Sequence, residues 1–400
     1  MTHDGSQKAY ERAAVIPGRS LTRSKAPGRY FALGQGPLYA ERGSGSTLYD
    51  VDGHGYVDMV CGLGAISLGY GVANQRARTA IESGWIYSLP SSLEAEAAHA
   101  VLRDVAPWAM RCRFVKTGSE STHAAFRIAK RETGRSRVLM MGDSYHGWHE
   151  WCAKKSDGTP EDSHTVLYPY GACLETCCAL AGISSRDVAA VFVEPHRWEP
   201  TSIGWLQSVR DFCRRNGAVL VFDEMIYGGR WAVGGATEYF GVVPDLACFG
   251  KAIGNGAPIA CVVGGAALMD AHAEMVSGTY SGDAAALAAV IEVLEFYRAH
   301  PVIQTLWARG AQLREGLADA VRAYPDAGAV VEGAAPVHQR LRFLNPARGK
   351  LFSAEMVKSG VLFHPDVVNV SYSHSSDNIR TVVTAAAVSL ETLTRKAVGA

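Results

Sequence analysis

Near its middle the chain reads Val219-Leu220-Val221-Phe222-Asp223-Glu224, four apolar residues followed directly by two acidic ones. A short apolar run without polar alternation is typical of a strand in a parallel sheet, because helices cover both faces of such a sheet. Acidic side chains directly after the strand would lie at its carboxyl edge, where open α/β folds bind their ligands. A carboxylate that begins a helix or holds a turn gives the same pattern, so these residues alone leave both interpretations open.

The segments around this run alternate between helix and strand patterns. A helical stripe of apolar residues over 206–213 ends at Gly217, a residue suited to a helix C-cap. Further short apolar runs occupy residues 189–193, 246–249 and 260–263. This alternation predicts an α/β domain with a mostly parallel sheet.

The two ends of the chain show a different pattern. Residues 37–60 contain short apolar runs broken by Gly-Ser-Gly and Asp-Gly, which predict hairpin turns. After residue 301, helical patterns and short strands indicate a smaller α+β domain. We therefore predict an arm over residues 1–28, an N-terminal segment of the small domain over 29–90, a large domain over 91–300 and the C-terminal part of the small domain over 301–400.

Composition excludes several classes of protein. Of the 400 residues, 48% are hydrophobic and 20% charged, which is typical of a folded chain with a sizeable core. The 39 Lys and Arg residues balance 39 Asp and Glu residues without a basic cluster, so neither nucleic acid nor an anionic membrane is an expected partner.

The nine cysteines follow no regular spacing and include no CxxC pair, which argues against a disulfide framework and against a metal site. The N-terminus lacks the apolar core of a signal peptide and no apolar run could span a membrane, so we expect a cytoplasmic protein.

Two Gly-containing turns precede predicted helices and could bind an anion. The first is Thr117-Gly118-Ser119-Glu120-Ser121, where glycine allows close approach and the N–H groups of the first helical turn can face a ligand. The second is Gly278-Thr279-Tyr280-Ser281-Gly282. A capped helix, with Ser119 as the N-cap in the first case, would explain the same residues without any ligand.

A lysine and an aromatic–histidine loop follow two other predicted strands. Lys251 lies in the apolar, Gly-rich turn Phe249-Gly250-Lys251-Ala252-Ile253-Gly254, where burial would lower its pKa and make its amine a nucleophile or base. A lysine whose charged end reaches solvent is the alternative. The loop Ser144-Tyr145-His146-Gly147-Trp148 could stack on a flat heterocycle, or could simply pack in the core.

The order of these features resembles fold-type I pyridoxal-phosphate (PLP) enzymes, and more narrowly class III aminotransferases of the glutamate-1-semialdehyde aminomutase branch. The resemblance is strongest from Phe222-Asp223-Glu224 through Pro244-Asp245-Leu246 to Gly250-Lys251, and it extends over nearly the whole chain. It implies a large α/β domain with a mostly parallel sheet flanked by helices, plus a smaller α+β domain formed by the N- and C-terminal segments. A nicotinamide dehydrogenase is disfavoured, because Gly62-Leu63-Gly64-Ala65-Ile66-Ser67 has serine where the third glycine of the dinucleotide motif belongs.

The resemblance assigns roles to the cofactor-binding residues. Lys251 would hold the cofactor, pyridoxal 5′-phosphate, as a Schiff base (an internal aldimine) and then shuttle a proton between the substrate carbon and C4′. Asp223 would pair with the pyridinium nitrogen and keep it protonated. Gly118 and Ser119 would bind the cofactor phosphate. Thr279 would reach the phosphate of the other subunit's cofactor, which implies a homodimer with shared active sites.

Ring and substrate contacts are implied in the same way. Tyr145 would stack on one face of the cofactor ring with His146 beside it, and Met225 would pack on the other face. Arg29 matches the arginine with which the family binds a substrate carboxylate. The alternative is that Arg29 is a surface residue of a mobile arm and binds no substrate. Glu199 is the second candidate for substrate binding.

The implied activity is that of an aminotransferase that moves an amino group between an amino acid donor and a carbonyl acceptor in a biosynthetic pathway. Two departures favour this activity over the tetrapyrrole-pathway aminomutase: His196 stands where the family commonly has Gln or Asn, and no glutamate lies between His364 and His374. An aminomutase or an epimerase or racemase of the same family is the alternative, because all would use the same cofactor half of the site. A non-catalytic scaffold should have lost Lys251 or Asp223, and both are present.

Overall fold

The computed structural model describes residues 3–195, 198 and 200–398, which fold into two compact units. One unit spans Met1–Val72 and Gln304–Ala400, and the other spans Ala73–Ile303. None of the described helices combines the length and the apolar character needed to cross a membrane.

The strands and helices of the described residues are numbered in chain order. The strands are β1 (Ala40–Ser44), β2 (Thr47–Asp50), β3 (Gly55–Asp58), β4 (Arg111–Val115), β5 (Arg137–Met141), β6 (Thr165–Tyr168), β7 (Val188–Val193), β8 (Val219–Asp223), β9 (Leu246–Phe249), β10 (Ala260–Gly264), β11 (Ala329–Ala335), β12 (His338–Phe343) and β13 (Val361–Leu362). The helices are α1 (Asp4–Arg12), α2 (Cys61–Gly64), α3 (Gln75–Ser83), α4 (Ser92–Asp104), α5 (Gly118–Thr133), α6 (Leu174–Leu180), α7 (Ile203–Asn216), α8 (Gly235–Phe240), α9 (Ala266–His272), α10 (Ala284–Ala299), α11 (Val302–Ala323), α12 (Pro346–Lys358) and α13 (Ser376–Val398).

The unit over 73–303 contains the predicted, mostly parallel sheet. Its strands run in the order β4-β10-β9-β8-β7-β5-β6. The strands from β5 to β9 pair in parallel, whereas β10 pairs antiparallel with both β4 and β9. The apolar strand β8 lies between β7 and β9, so both of its edges are paired.

Packing on both faces explains why β8 shows no polar alternation. Leu220 and Phe222 join one core cluster, and Val219 and Val221 join the other. Each large apolar side chain buried in this way contributes about 1.5–3 kcal/mol, so the centre of the sheet is a stable platform. On one face, α7 buries the predicted apolar stripe and ends at Gly217, whose φ is 63°.

The parallel strands place three loops at one edge of the sheet. Since β5, β7 and β8 run in the same direction, the segments that follow them begin at the same carboxyl edge. These segments contain the loop over 142–149, Glu194 and the acidic pair Asp223-Glu224. The sheet therefore collects polar groups from distant parts of the sequence at one place.

The other unit combines both ends of the chain. Strands β1, β2 and β3 form an antiparallel meander with the predicted hairpin between β2 and β3, and β13 pairs in parallel with β3. Strands β11 and β12 form a separate hairpin. Helix α12 contacts β13, β12 and α13. One hydrophobic cluster of this unit contains Phe31, Tyr56, Val60, Ala354, Val357 and Leu362.

Two segments differ from the expectation drawn from sequence. The predicted arm contains α1, whose first N–H groups, at Gly5 and Ser6, donate to the Asp52 carboxylate at 2.5 and 3.0 Å. Residues 73–90, predicted to extend the N-terminal segment, belong to the unit over 73–303, where α3 packs against α10. Both differences arise from contacts between distant segments, which a local pattern does not encode.

Candidate active site

Asp223 lies at the end of β8 and is 3% exposed. Its Oδ2 is 2.7 Å from Nδ1 of His146, and its Oδ1 accepts the backbone N–H of Met225 at 3.1 Å. His146 is also buried and comes from the loop after β5. A buried carboxylate is costly without such partners, so this edge of the sheet is arranged to hold one.

Ser144 fixes the orientation of the imidazole. Its Oγ is 2.7 Å from Nε2 of His146 and donates to the Met141 carbonyl at 2.7 Å. The Ser144 hydroxyl thus links the imidazole to the end of β5, and Nδ1 of the ring faces the Asp223 carboxylate.

Lys251 follows β9 and Gly250, and its side chain is partly buried. Its φ is 47°, in the left-handed region that side-chain-bearing residues rarely adopt, so the surrounding structure holds the backbone in a strained conformation. Burial lowers the pKa of the Lys251 amine, although the charges of Asp223 and Glu194 oppose this effect. Such a lysine is a better nucleophile and base than one whose amine is in solvent.

Two charged residues near Lys251 were not among the sequence candidates. Glu194 follows β7 and Arg230 lies in a Gly-rich segment beyond β8, and both are buried. The charge of Arg230 lowers the pKa of Lys251, whereas that of Glu194 raises it. Both had a signal in the sequence, since Glu194 directly follows an apolar run, as Asp223 does, and Arg230 interrupts an apolar, Gly-rich run.

Glu224, the second member of the acidic pair, has a different role. Its buried carboxylate accepts the N–H of Ala236 at 2.9 Å, the N–H of Thr237 at 2.7 Å and the hydroxyl of Thr237 at 2.6 Å. Burial raises the pKa of Glu224 to about 7. Glu224 thus anchors the first turn of α8. The sequence left two interpretations of the acidic pair open. Glu224 is a carboxylate that begins a helix, whereas the position of Asp223 suits a residue that faces a ligand at the edge of the sheet.

The first predicted anion turn begins α5. Thr117, and not Ser119, is the N-cap: its hydroxyl accepts the N–H of Glu120 at 3.2 Å, and the Glu120 carboxylate accepts the N–H of Thr117 at 2.9 Å. Gly118 and Ser119 therefore form the first helical turn, whose N–H groups have no partner within the helix. A capped helix and an anion site are compatible here.

Close packing joins this turn to the lysine. A Cβ on Gly118 would lie 2.9 Å from Sδ of Met225, and one on Gly250 would lie 2.7 Å from the same atom. Met225 is buried between the two glycines. The start of α5, the segment after Asp223 and the turn before Lys251 are therefore neighbours.

The loop over 142–149 approaches the start of α5. Gly147 has a φ of 116°, and a Cβ there would lie 2.6 Å from Oγ of Ser119. Thr122 of α5 donates its hydroxyl proton to the carbonyl of His146. Tyr145 is 70% exposed; burial raises its pKa, and the Ser119 side chain opposes this effect, so the two side chains are close. Gly118, Ser119, Tyr145 and His146 thus lie together.

Thr279 and Arg29 take part in none of the contacts described above. Thr279 is exposed in the turn before α10 and lines a cavity of about 340 Å³ with Tyr87 and Glu94. Arg29 is exposed in the unit formed by the chain ends. Glu199 lies outside the described residues, as does His196.

Comparisons with known proteins agree on one family. The class-III aminotransferase profile matches residues 30–365. Glutamate-1-semialdehyde 2,1-aminomutase of Archaeoglobus fulgidus is 31% identical over 98% of this chain and 100% of its own length. The enzyme of the same name from Natronomonas pharaonis is 34% identical over 80% of this chain and 76% of its own length. The solved structure of the PLP internal aldimine form of the Sphingopyxis sp. MTA144 FumI protein has a TM-score of 0.88 and 28% identity, with 98% of this chain and 97% of that chain covered.

Proposed function

The chain belongs to the class-III aminotransferase family, and we propose that it is an aminomutase, an enzyme that moves an amino group between carbon atoms of one substrate. It is an enzyme of the PLP-dependent class, with fold-type I architecture. The aminomutase from Archaeoglobus fulgidus supports the proposal, because it aligns with nearly the whole chain. The aminotransferase activity expected from sequence is supported only at the level of the family.

The residues at the carboxyl edge of the sheet fit PLP. We propose that the partly buried amine of Lys251 holds the cofactor and that Asp223, already paired with His146, faces its ring nitrogen. The first turn of α5, at Gly118 and Ser119, offers the phosphate N–H groups that have no partner within the helix. Bound PLP acts as an electron sink that makes a C–H bond beside the substrate nitrogen acidic.

Lys251 is the residue that we propose moves the proton. Because burial lowers its pKa, a larger share of its amine is neutral near pH 7 than in an exposed lysine. The neutral amine can accept a proton from a substrate carbon, hold it as ammonium and return it. Asp223 and Glu194 stabilise the ammonium state through their negative charges.

Other side chains position these groups. Ser144 orients His146, and His146 in turn holds the Asp223 side chain that we propose faces the ring nitrogen. We propose Tyr145 and Met225 as contacts to the two faces of the cofactor ring, since both contact the start of α5.

We also propose a homodimer, with Thr279 contributing to the partner's phosphate site. Thr279 is exposed, as a residue that reaches another subunit must be. Large apolar side chains are exposed in the same unit: Trp85 at 58%, Tyr87 at 45%, Leu89 at 78% and Tyr280 at 64%. Tyr87 and Leu89 line the same cavity as Thr279, and aromatic residues are enriched at interfaces. Light scattering of the purified protein should give the mass of two chains.

A reducing compartment, such as the cytoplasm, suits the thiols of this chain. All nine cysteines lie in the described residues, and none of them forms a disulfide bond there. Free thiols persist where glutathione and thioredoxin keep them reduced, which supports the proposed location.

The functional test is an assay with glutamate 1-semialdehyde as the only substrate. A 2,1-shift would convert it into its isomer, 5-amino-4-oxopentanoate, without an added amino donor and therefore without the oxo acid that a donor leaves behind. Isomer formation by the wild type, absent in Lys251→Ala, would support the aminomutase.

An aminotransferase is the second candidate, because no glutamate lies between His364 and His374. It would need an amino donor and would release one oxo acid for each amino group moved. Donor-dependent turnover with stoichiometric oxo acid, and no isomer, would replace the aminomutase proposal with this one.

A further inference from the structure

Two histidines and an aspartate come together where α1 meets the hairpin of β2 and β3. Nδ1 of His3 lies 3.8 Å and Nδ1 of His54 lies 3.2 Å from Oδ2 of Asp50. All three atoms lie within 4.8 Å of one another. From this geometry we propose a binding site for a first-row divalent transition-metal ion, with Zn²⁺ as the ion used to test it.

The separations between these atoms match the dimensions of a metal site. Zinc binds imidazole nitrogen and carboxylate oxygen at about 2.0–2.2 Å, so two ligand atoms at a tetrahedral angle are about 3.3–3.5 Å apart. The two measured distances to Asp50 lie on either side of that range. Two imidazoles with one carboxylate form a ligand set that zinc and its neighbours in the first row accept.

Hydrogen bonds hold the Asp50 carboxylate in place. Its Oδ1 accepts the backbone N–H of Asp52 at 3.0 Å and of His54 at 2.8 Å, which closes the hairpin turn. Oδ2 is then the oxygen that faces both imidazoles. The hydroxyl of Tyr56 donates to Oδ2 at 2.9 Å, the kind of outer contact that orients a metal-binding carboxylate.

Helix α1 brings His3 to the cluster. The Asp52 carboxylate binds the N–H groups of Gly5 and Ser6, which anchors the chain directly after His3. Nδ1 of His3 is buried and has no hydrogen-bond partner among the described residues. A buried nitrogen of this kind is costly, and a metal ion would satisfy it.

The cluster also has access to solvent. His3 lines a cavity of about 480 Å³, together with Gln35 and Glu355. The cavity gives an ion a route to the site and leaves room for water as a further ligand. The alternative to a metal site is that His54 only hydrogen-bonds to Asp50. The hairpin turn between β2 and β3 would then form without a metal ion and without a contribution from His3.

The test is a calorimetric titration of tag-free, metal-free holoenzyme with Zn²⁺. We expect one ion per chain in the wild type. His3→Ala and His54→Ala should each weaken binding at least about tenfold, since even outer contacts to a metal site are worth that much. His164→Ala is the matched control, because His164 is exposed beside β6 and should leave the affinity unchanged.

Co²⁺ provides a spectroscopic readout of the same site. Visible d–d bands should appear on titration of the wild type and should be lost in His3→Ala. His3 does not close the hairpin turn, so this variant should retain wild-type circular dichroism and thereby separate ligand loss from misfolding. Absence of stoichiometric binding in the wild type, or equal Zn²⁺ affinity in wild type and His3→Ala, would overturn the proposal.

Discussion

Replacement of His146 tests whether its hydrogen bond to Asp223 contributes to turnover. His146→Leu removes both ring nitrogens and leaves Oδ2 of Asp223 without its donor at 2.7 Å. The two side chains are 0% and 4% exposed, so water does not readily replace the lost donor. A hydrogen bond to a charged group contributes about 1.5–3 kcal/mol. If the whole free energy of this hydrogen bond stabilises the transition state, kcat should fall about 10- to 150-fold, because about 1.36 kcal/mol corresponds to a factor of ten.

Two further variants separate the contact to Asp223 from the contact to Ser144. In His146→Asn, the side-chain amide can take the place of Nδ1 and still donate to Asp223, although it does not reach Ser144. Ser144→Ala removes only the contact at Nε2. A hydrogen bond between neutral groups contributes about 0.5–1.5 kcal/mol, so we expect each of these variants to lose about 2- to 10-fold in kcat.

The assay is the initial rate of isomer formation from glutamate 1-semialdehyde at saturating PLP, with kcat and KM determined separately. The visible absorption of the cofactor checks that each variant is fully loaded. A fully loaded His146→Leu enzyme with kcat within about twofold of the wild type would refute the reasoning. Equal losses in His146→Leu and His146→Asn would show that the contact to Asp223 is not the one that matters.

Four other predictions follow from single residues. Lys251→Ala should abolish turnover with circular dichroism unchanged, and an active variant would contradict its assignment. Arg29→Ala should raise KM about tenfold or more for substrates that carry a carboxylate, and an equal effect on substrates without one would make Arg29 structural. Gly147→Ala should lower the free energy of urea unfolding by about 1–3 kcal/mol, because φ at this position is 116° and the added Cβ would meet Ser119. Gly158→Ala is the control for the backbone effect alone, because φ there is 84° and an added Cβ would have no atom within 4 Å. Burial lowers the pKa of His123 from 6.5 to about 4 in the folded protein. As the pH falls, His123 is therefore protonated in the unfolded chain before it is protonated in the folded one. The free energy of unfolding should consequently fall as the pH drops from 6.5 to 4. In His123→Gln this decline should be smaller, and an identical pH dependence in both proteins would contradict the assignment.

The sheet could be predicted because its signals are local. The apolar runs 189–193, 246–249 and 260–263 all became strands of the large sheet, since a strand covered on both faces must be apolar throughout. Asp223 ends β8 and Lys251 comes shortly after the adjacent parallel strand β9, so pairing of β8 with β9 alone places them at one edge. The resemblance to the class-III family, which rested on the spacing of these residues, is confirmed.

The preference for an aminotransferase over an aminomutase depended on fewer residues than the assignment of the family did. It depended on His196 and on the absence of glutamate between His364 and His374, while relatives aligned along nearly the whole chain carry the aminomutase name. The outcome of the reaction depends on where the substrate is held and protonated, and a few altered positions do not determine that geometry.

The sequence by itself therefore determined which apolar runs become strands of a mostly parallel sheet, because hydrophobic pattern is local, and it placed Asp223 and Lys251 at the ends of two such runs. Only the tertiary structure decided which groups touch. His146 reaches Asp223 across 77 positions, and His3 reaches Asp50 because Asp52 anchors α1. The same packing distinguished Asp223 from Glu224, since each carboxylate takes its role from the donors that the folded core places around it.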